Sequence, residues 1–224
     1  SVIEDVFEKA RHYQVGVDST GTPRYCDNFI NDYYDDEGWW ALAWIEASKL
    51  TGEKKYLDMA EIIFDDMTTG WSDACGGGIF WKKNPLHYKN SIANNLFSLT
   101  AIRLYKATQN PAYLDWFKKN VDWYTQTGMI NTDIYQIEDG TKDDCTPNRN
   151  AHYTYNQGVA IAVLAEMYLQ TNDKSYLELA EKIADATITT QLVTDEGILR
   201  EMKPEIDDSN DGVQFKGIFI RHLA

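Results

Sequence analysis

The sequence predicts an all-α fold made of helical hairpins set side by side as a toroid or solenoid. Two observations carry that prediction. First, one motif recurs three times: Leu50-Thr51-Gly52-Glu53-Lys54-Lys55-Tyr56-Leu57-Asp58, Ala107-Thr108-Gln109-Asn110-Pro111-Ala112-Tyr113-Leu114-Asp115 and Gln170-Thr171-Asn172-Asp173-Lys174-Ser175-Tyr176-Leu177-Glu178. Each copy holds a Thr, polar turn residues, then Tyr-Leu-acid, and the tyrosines lie 57 and 63 residues apart. Self-similarity near a fixed period signals a repeat architecture. Second, these short turns alternate with long loops at 12–36, 70–88, 129–150 and 192–211, which hold most of the Gly and Pro and all the Cys. Long loops in a compact domain are usually functional. One rim is therefore expected to be plain and the other elaborated, with the site on the elaborated rim.

The elements follow in order. A helix is expected over Val2 to Arg11. The first motif joins Gly38–Leu50, with Trp40, Ala43, Trp44 and Ala47 at helical spacing, to Tyr56–Met67, with Met59, Ala60, Ile63 and Phe64. The second joins Asn90–Lys106 to Tyr113–Tyr124, and the third joins Tyr155–Leu169 to Tyr176–Ile188. Gly52 suits a helix end and Pro111 a first helical turn. A short strand is expected at Ile134-Tyr135-Gln136-Ile137, and a last helix from about Gly212. A period near 60 exceeds the roughly 34 of a TPR array, and a ring of six hairpins needs roughly 6 × 60 residues. The 224 residues hold three full hairpins and parts of others, so the expected toroid is present only in part.

The net charge is -14, which argues against binding a nucleic-acid backbone. No run of about 18 apolar residues predicts a membrane span. Cys26, Cys75 and Cys145 are too few for a disulfide framework and wrongly spaced for zinc, and one pair is free to form. The four histidines are scattered, so no metal is expected. Asp207-Asp208-Ser209-Asn210-Asp211-Gly212 starts like a calcium loop, but its twelfth position is Ile218 instead of Glu, so a turn is the better reading.

The segment richest in chemistry is Tyr33-Tyr34-Asp35-Asp36-Glu37-Gly38-Trp39-Trp40. Two readings compete. In one, Asp35 or Asp36 caps a helix opening at Glu37-Gly38. In the other, the two are a catalytic pair: adjacent carboxylates repel, so one keeps a proton while the other stays anionic. Retaining glycoside hydrolysis needs that division and a carboxyl separation of roughly 5–5.5 Å. Neighbouring Cα atoms about 3.8 Å apart permit it. Cys75-Gly76-Gly77-Gly78-Ile79-Phe80-Trp81 is a tight glycine turn without the Lys-Ser/Thr of a phosphate loop. Its Trp81 is a sugar platform or a core residue.

At these residues the chain resembles glycoside hydrolase family 76, the endo-α-1,6-mannanases, and their relatives among fungal cell-wall glycosidases and transglycosidases. The matching pieces are Tyr34-Asp35-Asp36-Glu37-Gly38-Trp39-Trp40, Cys75 to Trp81, Tyr88-Lys89-Asn90-Ser91-Ile92-Ala93-Asn94, Tyr135 to Gly140, Tyr153-Thr154-Tyr155-Asn156-Gln157-Gly158 and Gln214-Phe215-Lys216-Gly217-Ile218-Phe219. They span nearly the whole chain. The resemblance implies one (α/α)6 barrel domain over 1–224, lacking flanking helices at both ends. It implies a secreted, periplasmic or cell-surface setting and retaining, endo-acting cleavage of α-1,6-mannan by a monomer without cofactor. It implies Asp35 as nucleophile and Asp36 as acid/base, an order the residues alone do not set. It makes Trp39, Trp40, Trp81, Lys89, Asn90, Asp139, Tyr155, Asn156 and Lys216 substrate-binding residues, and it implies a Cys75–Cys145 bond. A transglycosidase on the same glycan and a non-catalytic glycan-binding toroid are the alternatives.

Overall fold

The computed structural model describes residues 1–17, 20–83, 88–149, 151–190, 192–203 and 211–223. The helices are α1 (Val2–Ala10), α2 (Tyr34–Thr51), α3 (Lys54–Thr68), α4 (Ser91–Thr108), α5 (Pro111–Gln126), α6 (Thr154–Thr171), α7 (Lys174–Thr189) and α8 (Gly212–Leu223). Helices α2, α4, α6 and α8 pack in a row, and α3, α5 and α7 each back one of them. The result is an arc of a helical toroid in two layers.

Sequence patterning explains which helix lies where. Helix α4 is buried without a break from Ser91 to Ile102. A helix covered on all sides belongs in the inner layer. The outer helices instead carry one buried stripe, as α3 does with Tyr56, Met59, Ala60, Ile63, Phe64 and Met67. Gly38 sets how closely the inner row packs, because a Cβ there would lie 2.7 Å from the Leu96 Cβ of α4.

The repeated motif closes the plain rim. After each inner helix, Gly52, Gln109 or Asn172 takes a left-handed conformation and its N–H returns to Ser48, Tyr105 or Tyr168. The threonines just before them form one clasp three times. Thr51, Thr108 and Thr171 each donate at 2.8 Å to the carbonyl four residues back. Each also accepts an N–H from two residues ahead, at 3.1, 3.2 and 3.2 Å. Two of the three motif tyrosines tie successive outer helices: Tyr56 donates to Glu4 of α1 and Tyr113 to Glu61 of α3, both at 2.9 Å.

The elaborated rim departs from expectation in three places. The loop 12–36 contains an antiparallel hairpin, β1 (His12–Val17) with β2 (Pro23–Asp27), irregular between Gln14 and Gly16. The expected strand at 134–137 shrinks to β4 (Gln136–Ile137), paired with β3 (Ile130–Asn131), because Tyr135 sits at φ 51°. Helix α2 begins at Tyr34, four residues earlier than Gly38. Cys75 and Cys145 are bonded, joining two loops of this rim across 70 residues, and Cys26 is free and buried. The acidic run 207–210 and His87 lie outside the described residues. No helix among the described residues is long and apolar enough to cross a membrane.

Candidate active site

The inner helices present their N-terminal ends to the elaborated rim, where they and the loops enclose a cleft of about 840 Å³. Asp35, Asp36 and Trp39 enter it from the first turns of α2, Asn90 from the cap of α4, and Tyr153 and Tyr155 from the start of α6. Trp81, Tyr88 and Asp139 come from the loops, and Asp211, Gln214, Phe215, Ile218 and Arg221 from α8 and the residue before it.

Neither aspartate caps α2. The cap position is Tyr33, which makes no side-chain cap bond. Trp81 Nε1 donates to Asp35 Oδ2 at 3.1 Å, and Asn31 Nδ2 donates to Asp36 Oδ2 at 3.2 Å. The second Asp35 oxygen is buried with no partner among the described residues. Burial pushes the Asp35 carboxyl up to about 7, and the Asp36 charge adds to it. The Trp81 N–H and the amides of Asp35 and Asp36 pull the other way. Asp36, more exposed, is also raised, by burial first and by Asp211, against the Asn31 N–H. Burial thus raises both carboxyls, and Asp35 is the more buried of the two.

Backbone ladders place the other groups. Tyr34 N–H donates to the Trp81 carbonyl at 3.0 Å, and Trp81 N–H to that of Tyr88 at 2.8 Å, which docks the 70–88 loop on α2. Ser91 N–H donates to the Asp139 carbonyl at 2.8 Å. The Asp139 carboxylate accepts from Tyr88 Oη at 2.5 Å and from Asn156 Nδ2 at 3.2 Å. Tyr155 stacks on Phe215 with ring centroids 4.0 Å apart, a flat aromatic wall.

Five of the nine predicted binding residues therefore line the cleft: Trp39, Trp81, Asn90, Asp139 and Tyr155. Asn156 is buried behind Asp139 and orients it. Three predictions need correction. Trp40 turns into the core, 4.7 Å from Phe29 and stacked on Trp44. It borders a separate groove that shares Trp39 with the cleft. Lys89 is fully buried, its ammonium held by the carbonyls of Ser72, Ala74 and Gly77. Burial lowers it to about 8. Lys216 lies on α8 outside the cleft lining. The triple glycine is no ligand cradle either, since it packs on Trp123, where a Cβ on Gly78 would lie 2.3 Å from the ring. Tyr88, Tyr153, Gln214, Phe215 and Ile218 also line the cleft and fall in the matching pieces without being named as binding residues, whereas Asp211 and Arg221 fall outside those pieces; the spacing of 211, 214, 215, 218 and 221 marks one helical face.

The chain is similar to several known proteins. The mannan endo-1,6-alpha-mannosidase DCW1 of Saccharomyces cerevisiae is 29% identical over 206 residues, covering 85% of this chain and 45% of that protein. The Lin0763 protein from Listeria innocua is 34% identical, with a TM-score of 0.79, over 87% of this chain and 55% of that one. The GH76A alpha-1,6-mannanase of Salegentibacter sp. HEL1_6 is 29% identical, with a TM-score of 0.79, over 87% and 57%. An inactive variant of that mannanase, with two neighbouring aspartates replaced by asparagine, was solved with alpha-1,6-mannotriose. The chain spans about half the length of the curated relatives it matches. The sequence pattern of Glycosyl hydrolase family 76 matches residues 1–224, and the chain belongs to that family.

Proposed function

We propose that this chain carries the catalytic centre of a retaining glycosidase that cleaves α-1,6-mannosidic links within mannan chains. The carrying observation is the adjacent pair Asp35 and Asp36 in an open cleft, each receiving one N–H bond, between the Trp39, Trp81 and Tyr155 rings. The names of the relatives support mannan as substrate and internal links as the point of cleavage.

In the first step Asp35 attacks the anomeric carbon while Asp36 gives its proton to the departing glycosidic oxygen. In the second, Asp36 takes a proton from water, and the resulting hydroxide displaces Asp35. Substrate that covers Asp36 strips it of water and raises its proton affinity. That favours the proton on Asp36, the position the reaction requires. The inner-helix N-termini favour the anion left behind. The rings and Asp139 hold sugar faces and hydroxyls. The Cys75–Cys145 bond supports an oxidising setting, secreted, periplasmic or cell-surface. The working unit is a monomer.

The test is incubation with unbranched α-1,6-mannan, sizing the products and following their anomeric configuration by NMR. Short oligosaccharides released with retained configuration are expected, and transfer to an added mannoside would identify a transglycosidase instead. No turnover by this chain or by a longer chain containing it overturns the proposal.

A further inference from the structure

Asn31 lies in the turn that leads from β2 into α2, outside the cleft lining. Its side chain is fixed from both ends. Oδ1 accepts the N–H of Tyr33 at 2.6 Å, so Nδ2 is the atom left to face Asp36 Oδ2 at 3.2 Å. The same Nδ2 lies 3.4 Å from the Tyr13 hydroxyl of β1. The Asn31 backbone N–H donates to Glu37 Oε1 at 3.0 Å. Glu37 is fully buried and paired with Lys83 at 2.6 Å, and Lys83 also holds Asp66 of α3 at 2.5 Å. Asn31 is thus anchored to the frame of the fold and aims one N–H at one catalytic oxygen.

An amide N–H can only donate. The oxygen it meets must accept, so that oxygen cannot carry the acid proton along the same direction. We propose that Asn31 is a positioning residue for the reaction: by occupying Oδ2 of Asp36, it puts the transferable proton on Oδ1. The inference rests on Asp36 being the acid/base. Asn31 also stabilises the Asp36 anion. Among the described residues, the other charged and titratable groups around Asp36 are Asp35 on α2, Tyr13 from β1, Asp211 ahead of α8, Arg221 on α8, and Asp139, Tyr88, Tyr153 and Tyr155 of the same cleft.

Two variants test this. Asn31→Ala removes the donor. Asn31→Asp keeps the shape and the acceptor for Tyr33 N–H but replaces the donor with a carboxylate. Carboxyl-carbon NMR titration should show the Asp36 midpoint rising by about one unit in Asn31→Ala and by more in Asn31→Asp, with Asp35 moving less. The alkaline limb of kcat/KM on α-1,6-mannan should move up with it. The loss in kcat should be about 10-fold or more on mannan and should shrink on an aryl mannoside whose leaving group needs no acid. If active wild type and folded variants share the same Asp36 midpoint and alkaline limb, the proposal falls while the functional reading stands. A wild type that titrates as expected but cleaves no mannan overturns the functional reading and this proposal together.

Discussion

The indole Nε1 of Trp81 meets Oδ2 of Asp35 at 3.1 Å, joining a loop to the first turn of a helix 46 residues earlier. That bond puts the platform ring and the candidate nucleophile in fixed register. It also leaves Asp35 as an acceptor on one oxygen, with the other buried and without a partner among the described residues.

Asp35→Asn and Asp36→Asn should each lower turnover of α-1,6-mannan by about 10²–10⁴-fold or more while far-UV CD stays unchanged. The two should differ on an aryl mannoside with a good leaving group. Asp36→Asn should still form the glycosyl-enzyme, seen by mass spectrometry, and added azide should release it. Asp35→Asn should form none.

The raised Asp35 carboxyl fixes the sign of a stability effect. The folded state holds the proton up to about 7, whereas an ordinary Asp loses it near 3.8. Its stabilising contribution is thus full below the ordinary value and is lost as pH rises through about 7. Replacing it with neutral Asn should change little at pH 4 and stabilise the fold at pH 8. Thermal melts across that range should show a gain of about 1 kcal/mol at the alkaline end, where activity is lost.

Lys89 serves as a structural cation, so Lys89→Met should act on the fold. Three carbonyls would lose their donor inside the protein, a cost of about 3 kcal/mol or more. Denaturant melts should record it as a lower midpoint with an unchanged slope. A change confined to KM, with normal stability, would instead put Lys89 on the substrate.

Trp40 and Trp81 should separate in the same way. Trp40→Phe disturbs packing on Phe29 and Trp44, and should lower stability by about 1–3 kcal/mol with KM kept. Trp81→Phe should raise KM and lower kcat together, because it shrinks the platform and removes the N–H on Asp35.

Cys75→Ser with Cys145→Ser should cost about 2–4 kcal/mol, given the 70-residue separation that the bond closes. The readout is the melting midpoint in non-reducing buffer, compared with wild type in dithiothreitol.

The hairpins are legible in the sequence because each is closed by local means. The Thr clasp and the left-handed cap involve residues within six positions of one another, so the motif repeats wherever the turn does. The Asp35–Asp36 pair, Trp81, Asp139 and Tyr155 are legible because carboxylates beside aromatic rings are unusual and the family resemblance covers them. What escapes is tertiary. Lys89 reads as a binding cation because its carbonyl partners, at 72, 74 and 77, gather only when the glycine turn folds over it. Trp40 differs from Trp39 only by one step, about 100° around the helix, which sends one ring to the cleft and the other to the core. The start of α2 is hidden because Tyr33, a poor cap by type, is held there by the loop docked against it.

The threonine clasps have a practical consequence. Thr51, Thr108 and Thr171 seal their turns at the end of the toroid remote from Asp35 and draw nothing from the loops that surround the substrate. Those loops are therefore free to be exchanged, lengthened or recombined between homologues, and new sugar preferences can be engineered on a scaffold whose far side keeps its own integrity.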